Sequence, residues 1–225
     1  QDPGFVELIE GSHLSSTLSL NKGIRFVGKA AVPNLKSSVS FKGNHSLLTR
    51  KLSAQVMLEN VHMARTLALV QGADSFVHFS DGVISSADLG VTYDKASLQI
   101  NGALTAAQTD MTVGKTKRVT GAIQVSGLLM TWRGDKWDAQ GKVQIPSAQL
   151  SAVSGKILTG DITADLNLLT ISGKNFSSQG NVSITNARLV VSENKYLCGD
   201  VTAVNASLAM QNDAIRLLGD LDIKG

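Results

Sequence analysis

The chain has 225 residues and 23.7 kDa, with 43% hydrophobic but only 4% aromatic residues, 21 glycines, 3 prolines and 1 cysteine. A net charge of +3 and a pI near 9.0, with no basic cluster, carry no nucleic-acid signal, although they permit contact with an anionic membrane surface. A lone Cys198 excludes a disulfide framework and a cysteine-based metal site, and no run approaches the ~18 apolar residues of a spanning helix.

Residues 1–12, beginning "QDPGFVEL" at Gln1, read as a tag remnant or cut boundary. Residues 13–225 read as one repetitive β domain, a fragment of a longer chain. Its first recognisable phrase is "LNKGIRFVGKAAV", and "AQVMLENVHM" and "DSFVHFSDGVI" follow in the same alternating manner. From there glycines recur at 102, 121, 141, 160, 180, 199 and 219, at steps of 19 or 20.

Counted from each Gly, apolar residues recur at offsets two, four, nine and eleven, and a large one at sixteen. The unit at Gly121 supplies Ile123, Val125, Met130, Trp132 and Trp137. The unit at Gly141 supplies Val143, Ile145, Leu150 and Ile157. After Gly160 come Ile162, Leu169, Ile171 and Phe176, and after Gly180 come Val182, Ile184, Leu189, Val191 and Tyr196. The last unit, at Gly199, supplies Val201, Leu208, Met210 and Ile215. Ile215 and Gly219 repeat the relation of Ile24 and Gly28, so the two ends belong to one array.

Period-two alternation makes these units strands, with Asn181, Ser183, Thr185 and Arg188 on the opposite, polar face. Between offsets four and nine the phase slips by one residue, at Asn186-Ala187 and Asn205-Ala206, which predicts a β-bulge or bend. Pro146 falls in that bend, where a ladder donor is most easily spared. "RGDK", "SGKN", "SENK" and "QND" are tight-turn chemistry, and predict antiparallel hairpins in which Trp132 meets Trp137 and Val191 meets Tyr196. Strands of about 15 residues follow, long for a globular protein. In such a meander each Gly falls opposite its neighbour's bend, so flexible points align and let the sheet fold along a line. The competing reading is a parallel β-solenoid with rungs of about 20 residues.

The long alternating strands, Gly-marked bends and short polar turns resemble the AsmA-like and TamB-like envelope proteins of Gram-negative bacteria. The phrases "VHFSDGVISSADLGVTYDKASLQINGAL" and "NDAIRLLGDLDIKG" carry the resemblance most closely. The resemblance implies a β-taco, an open U-shaped sheet whose apolar lining holds acyl chains. It implies a periplasmic location, with an inner-membrane anchor in the full-length protein. The offset residues become the groove lining, the ligand a phospholipid or other acyl-chain lipid, and the role phospholipid transport or outer-membrane homeostasis. The alternative is a structural or adhesive solenoid of a surface or secreted protein.

Other motifs lead nowhere. "VGKT" at Val113–Thr116 lacks the phosphate-loop glycine, since Thr109 stands there, and "RGD" at Arg133–Asp135 occupies a turn slot. The Asn-x-Ser sites at Asn44, Asn175, Asn181 and Asn205 read as composition, and His13, His45, His62 and His78 share no ligand spacing. Cys198, two residues past Tyr196, is expected on the apolar face as a small buried hydrophobe. No nucleophile stands with a base and no carboxylates converge, so no enzyme and no cofactor are expected. Terminal strands of an open sheet leave edge-to-edge self-association as an expected mode of contact.

Overall fold

The computed structural model describes residues 13–19, 23–32, 37–63, 77–113, 117–152, 155–172, 175–192, 195–211 and 214–225. The expected tag, residues 1–12, lies outside them. Twelve strands form one sheet in sequence order: β1 (His13–Ser19), β2 (Gly23–Val32), β3 (Ser37–His45), β4 (Leu52–His62), β5 (Val77–Asp94), β6 (Ser97–Val113), β7 (Lys117–Arg133), β8 (Lys136–Ala152), β9 (Ile157–Ser172), β10 (Asn175–Ser192), β11 (Lys195–Gln211) and β12 (Ala214–Lys224). Every pairing is an antiparallel one between consecutive strands, which removes the parallel solenoid. β1 and β12 are free edges, so the sheet is open.

β5 to β11 run 16 to 18 residues each, slightly longer than expected. They cannot stay straight, because bulges interrupt them at two levels. At the first level Gly82, Gln108, Gly121, Ser147, Gly160, Asn186 and Gly199 lie side by side from β5 to β11. Gln108, Ser147 and Asn186 are the bulged residues, at φ 52°, 51° and 54°. Pro146 precedes Ser147 directly, as its missing donor requires. At the second level Gly102, Gly127, Gly141, Asn167, Gly180, Asn205 and Gly219 align from β6 to β12. The two creases are separated along β8 by the run from Gly141 to Ser147, about 20 Å at ~3.3 Å per residue. They divide the sheet into a central panel and two end panels.

Glycine serves the creases by admitting a neighbouring backbone. The Asp165 carbonyl stands where a Gly180 side chain would begin, and the Lys224 carbonyl does the same at Gly199. The bulged residues leave orphan N–H groups, and the residue after each glycine accepts from them. Ser147 donates to Asp161 Oδ1 (2.8 Å), Asn186 to Asp200 Oδ1 (2.9 Å) and Asn205 to Asn181 Oδ1 (3.0 Å). At these three bulges the Gly-Asp and Gly-Asn dipeptides therefore staple the bend to the strand beside it.

Buried hydrophobics are few among the described residues and gather beside the first line of bulges. Met63, Ala106, Val119, Ile123, Ile145 and Ala148 form the core, with Phe79, Met111, Leu150 and Ile162 packed against it. No large side chain among the described residues is fully buried. The chain presents 15063 Å² to solvent, where a globular protein of its mass would present roughly 9,800 Å². Among the described residues the substantial contacts all lie between strands adjacent in sequence, and none of these residues forms a second layer over the sheet.

Candidate functional site

Alternation within single strands fixes the two faces. In β8, Trp137, Ala139, Gly141, Val143 and Ile145 point one way and Asp138, Gln140, Lys142 and Gln144 the other. In β9, Leu158, Gly160, Ile162, Ala164 and Leu166 share the face of Ile145, to which Ile162 is paired. Pairing then carries the apolar face across the sheet in rows. One row runs Ile24, His45, Leu52, Tyr93, Leu98, Trp132, Trp137 and Ile171, continuing through the backbones of Phe176, Met210 and Ile215. The equivalence of Ile24 and Ile215 in the sequence is thus an equivalence of position in the sheet.

Of the residues expected to line a groove, thirteen share this face: Ile123, Val125, Met130, Val143, Ile145, Leu150, Ile162, Leu169, Ile171, Val182, Ile184, Leu189 and Val201. The side chains of Phe176, Val191, Leu208, Met210 and Ile215 lie outside the described residues. Ile157 and Tyr196 are corrections: both lie on the polar face. Ile157 pairs with Ser151, and Tyr196 pairs with Val190 rather than Val191. Tyr196 is 58% exposed there, with the Arg188 guanidinium 4.4 Å above its ring. Cys198 is corrected with them, since it pairs with Arg188 on the same face and is exposed. Trp132 and Trp137 pair as expected, their rings 6.1 Å apart.

The reason lies in the glycine steps. Trp137, Phe176 and Ile215 precede the next Gly by four residues, whereas Ile157 and Tyr196 precede it by three. An odd interval places a residue on the opposite face from its glycine. The alternation of 20 and 19 in the sequence carried that signal, and it also assigns to the apolar face Leu158 and Leu197, which the offset count missed. Leu104, Leu128 and Leu166 join them by register.

The apolar face is mainly aliphatic, with His45, Tyr93, Trp132 and Trp137 in its row nearest the hairpins. Its members are half-buried at best over most of the sheet, and Leu197, Leu221 and Ile223 are about two-thirds exposed. The polar face is ordered by short networks. The Arg118 guanidinium on Asp110 holds that carboxyl below its usual range. Thr170, and then Lys136, do the same for Asp138. Asp161 is lowered by the Ser147 amide first and the Asn186 carboxamide second. These carboxylates are engaged by neighbours rather than poised for proton transfer. Among the described residues no group of three His, Cys, Asp or Glu could hold a metal ion.

No family model, curated protein or solved structure matches the chain. The face is a wide, mainly aliphatic surface with few polar side chains, His45 and Tyr93 at its hairpin rim and Thr109 and Ser178 within it, opposite a solvated one. At ~25 cal/mol per Å², every 100 Å² of it left in water forgoes about 2.5 kcal/mol. A surface of this composition accepts flexible hydrocarbon and discriminates poorly between hydrocarbons.

Proposed function

We propose that the chain is a lipid-binding segment of a periplasmic envelope protein, AsmA-like or TamB-like in kind. It holds acyl chains on its apolar face for phospholipid transport or outer-membrane homeostasis. The observation that supports this most directly is a mainly apolar face, across strands of 16 to 18 residues, with no second layer over it among the described residues. The two creases are hinges about which the end panels would rise into the walls of a U, completing the taco around a lipid. Acyl chains lie against Ile145, Ile162, Ile184 and their neighbours, while headgroups stay in water at the open side. The process is passive. It needs no catalytic residue and no cofactor, and it discriminates by shape and apolarity alone.

Native mass spectrometry with lipid extraction tests the reading. The purified protein should carry phospholipid, and Ile184→Asp or Leu189→Asp should remove it, while Thr185→Asp on the polar face should not. Circular dichroism on each variant separates lost lipid from lost fold. A lipid-free wild-type protein that still unfolds cooperatively would overturn the proposal whatever the variants do.

A further inference from the structure

A second feature sits at the hairpin rim of the polar face, away from the proposed lipid surface. A cavity of about 270 Å³ opens there among the β3–β4, β5–β6 and β7–β8 turns. It falls just under the ~300–1,000 Å³ of sites that enclose drug-sized molecules, a size suited to one compact group. Lys51, Lys95 and Arg133 surround it, against the single carboxylate of Asp94. Register explains their convergence: Arg133 pairs with Ser97, Ser97 with Asp94, and the pairing of Leu52 with Tyr93 brings Lys51 beside Asp94. None of the three cations forms an ion pair with another described residue.

We infer that this cavity is an oxyanion site for a phosphate group, carried either by a small soluble compound or by a lipid headgroup. Arg133 contributes a planar fork of donors and the two lysines contribute point charges, a combination that matches a tetrahedral anion. Two further observations point the same way. Ser97 lines the cavity and its hydroxyl, turned away from water, has no hydrogen-bond partner, so a rotation of that side chain toward the cavity lets a phosphate oxygen supply the missing acceptor. Lys95 and Ala96 form the whole β5–β6 turn at φ 46° and 67°, where Asn-Gly is the unstrained choice. A lysine held in that conformation costs stability, Lys95 lines the cavity, and strain of this kind collects at binding sites. Asp94 offsets part of the repulsion among the cations in the empty state.

The test is calorimetric titration of the whole protein with inorganic phosphate at low ionic strength, paired with flotation on phosphatidylglycerol vesicles. The variants are Lys95→Asn/Ala96→Gly and, separately, Arg133→Gln. We expect saturable binding to at least one probe, weakened about tenfold or more by either variant. The double variant should melt at or above the wild-type temperature, because its turn is relieved. Binding of phosphate without vesicle binding identifies a soluble phosphate compound, and the reverse identifies a headgroup. Absence of binding to both probes, or binding that both variants retain, overturns the site. Lipid carried by the apolar face is read separately by mass, so either idea can fail while the other stands.

Discussion

The first three strands and the later ones solve one problem in two ways. β1, β2 and β3 are 7, 10 and 9 residues long, and their ladders, together with that of β3 to β4, run without a register shift. Gly28 there is filled by the Phe41 ring alone, while at Gly43 the Phe26 ring shares the space with the Ser53 carbonyl, and the two rings are 6.2 Å apart. In β5 to β12 no ring lies over the crease glycines: Gly102, Gly180 and Gly199 admit a neighbour's carbonyl, Gly121 and Gly160 first meet an isoleucine methyl, Gly127 faces open space, and the ladders shift register beside them. Glycine therefore means two things in this chain. Covered by a ring alone, as at Gly28, it sits in an unshifted ladder; pressed by a carbonyl alone, as at Gly180 and Gly199, it sits beside a bulge.

Substituting the glycines tests this difference with the largest expected effect. At Gly180 a methyl group meets the Asp165 backbone, which cannot move without breaking the crease, so Gly180→Ala should cost about 2–4 kcal/mol. At Gly28 the obstacle is the end of the Phe41 ring, which can swing, so Gly28→Ala should cost about 1 kcal/mol or less. Urea midpoints decide, and equal losses would break the distinction. A middling effect is expected at the bulges. Asn186→Val forces a β-branched residue into the left-handed region and should cost about 1–2 kcal/mol. Ser40→Val, on the straight ladder of β3, should stay within about 0.5 kcal/mol by the same measurement.

The smallest effect concerns the staples and sharpens the account of how a bend is held. Asp161 accepts from Ser147 on one side and from Asn186 Nδ2 (3.0 Å) on the other, and its carboxyl is lowered as a result. A carboxylate lowered in the folded state stabilises the fold above about pH 4, its unfolded value, and that contribution fades as pH falls through the folded one. Asp161→Ala should therefore lower the melting temperature at neutral pH, and the gap from wild type should close in acid. A gap that stays constant with pH would show that the carboxylate's charge has no part in holding the crease.

Most of the architecture can be read in the amino-acid order because one feature repeats. Offsets from glycine locate the strands, the phase slip at Asn186-Ala187 locates a bulge, and tight turns place each glycine opposite its neighbour's bend, as Ala187 opposite Gly199 shows. What escaped was the sidedness of Ile157, Tyr196 and Cys198. A single offset counted from the preceding glycine runs through a turn, and a turn one residue longer or shorter inverts the face of everything after it. Counting back from the following glycine avoids the turn and gives the right side. The oxyanion cavity escaped for another reason: Lys51 comes from the β3–β4 turn and Asp94, Ser97 and Arg133 from three strands, and only the register brings them together. The first three strands lack crease glycines at the regular interval, so their pattern shows only as alternation.

Because each strand rests on the strands immediately before and after it, the molecule is close to one-dimensional in its energetics. Stability should approximate a sum over nearest-neighbour interfaces, as in stacked-repeat proteins, with no single central contact whose loss dissolves the whole. Folding meets the same simplification. No pairing waits for distant segments to find each other, so strands can be laid down one after another as the chain emerges, at the low loop-closure cost of local hairpins. Evolution can lengthen such a sheet by duplicating a hairpin, and no strand already in place has to change its partner.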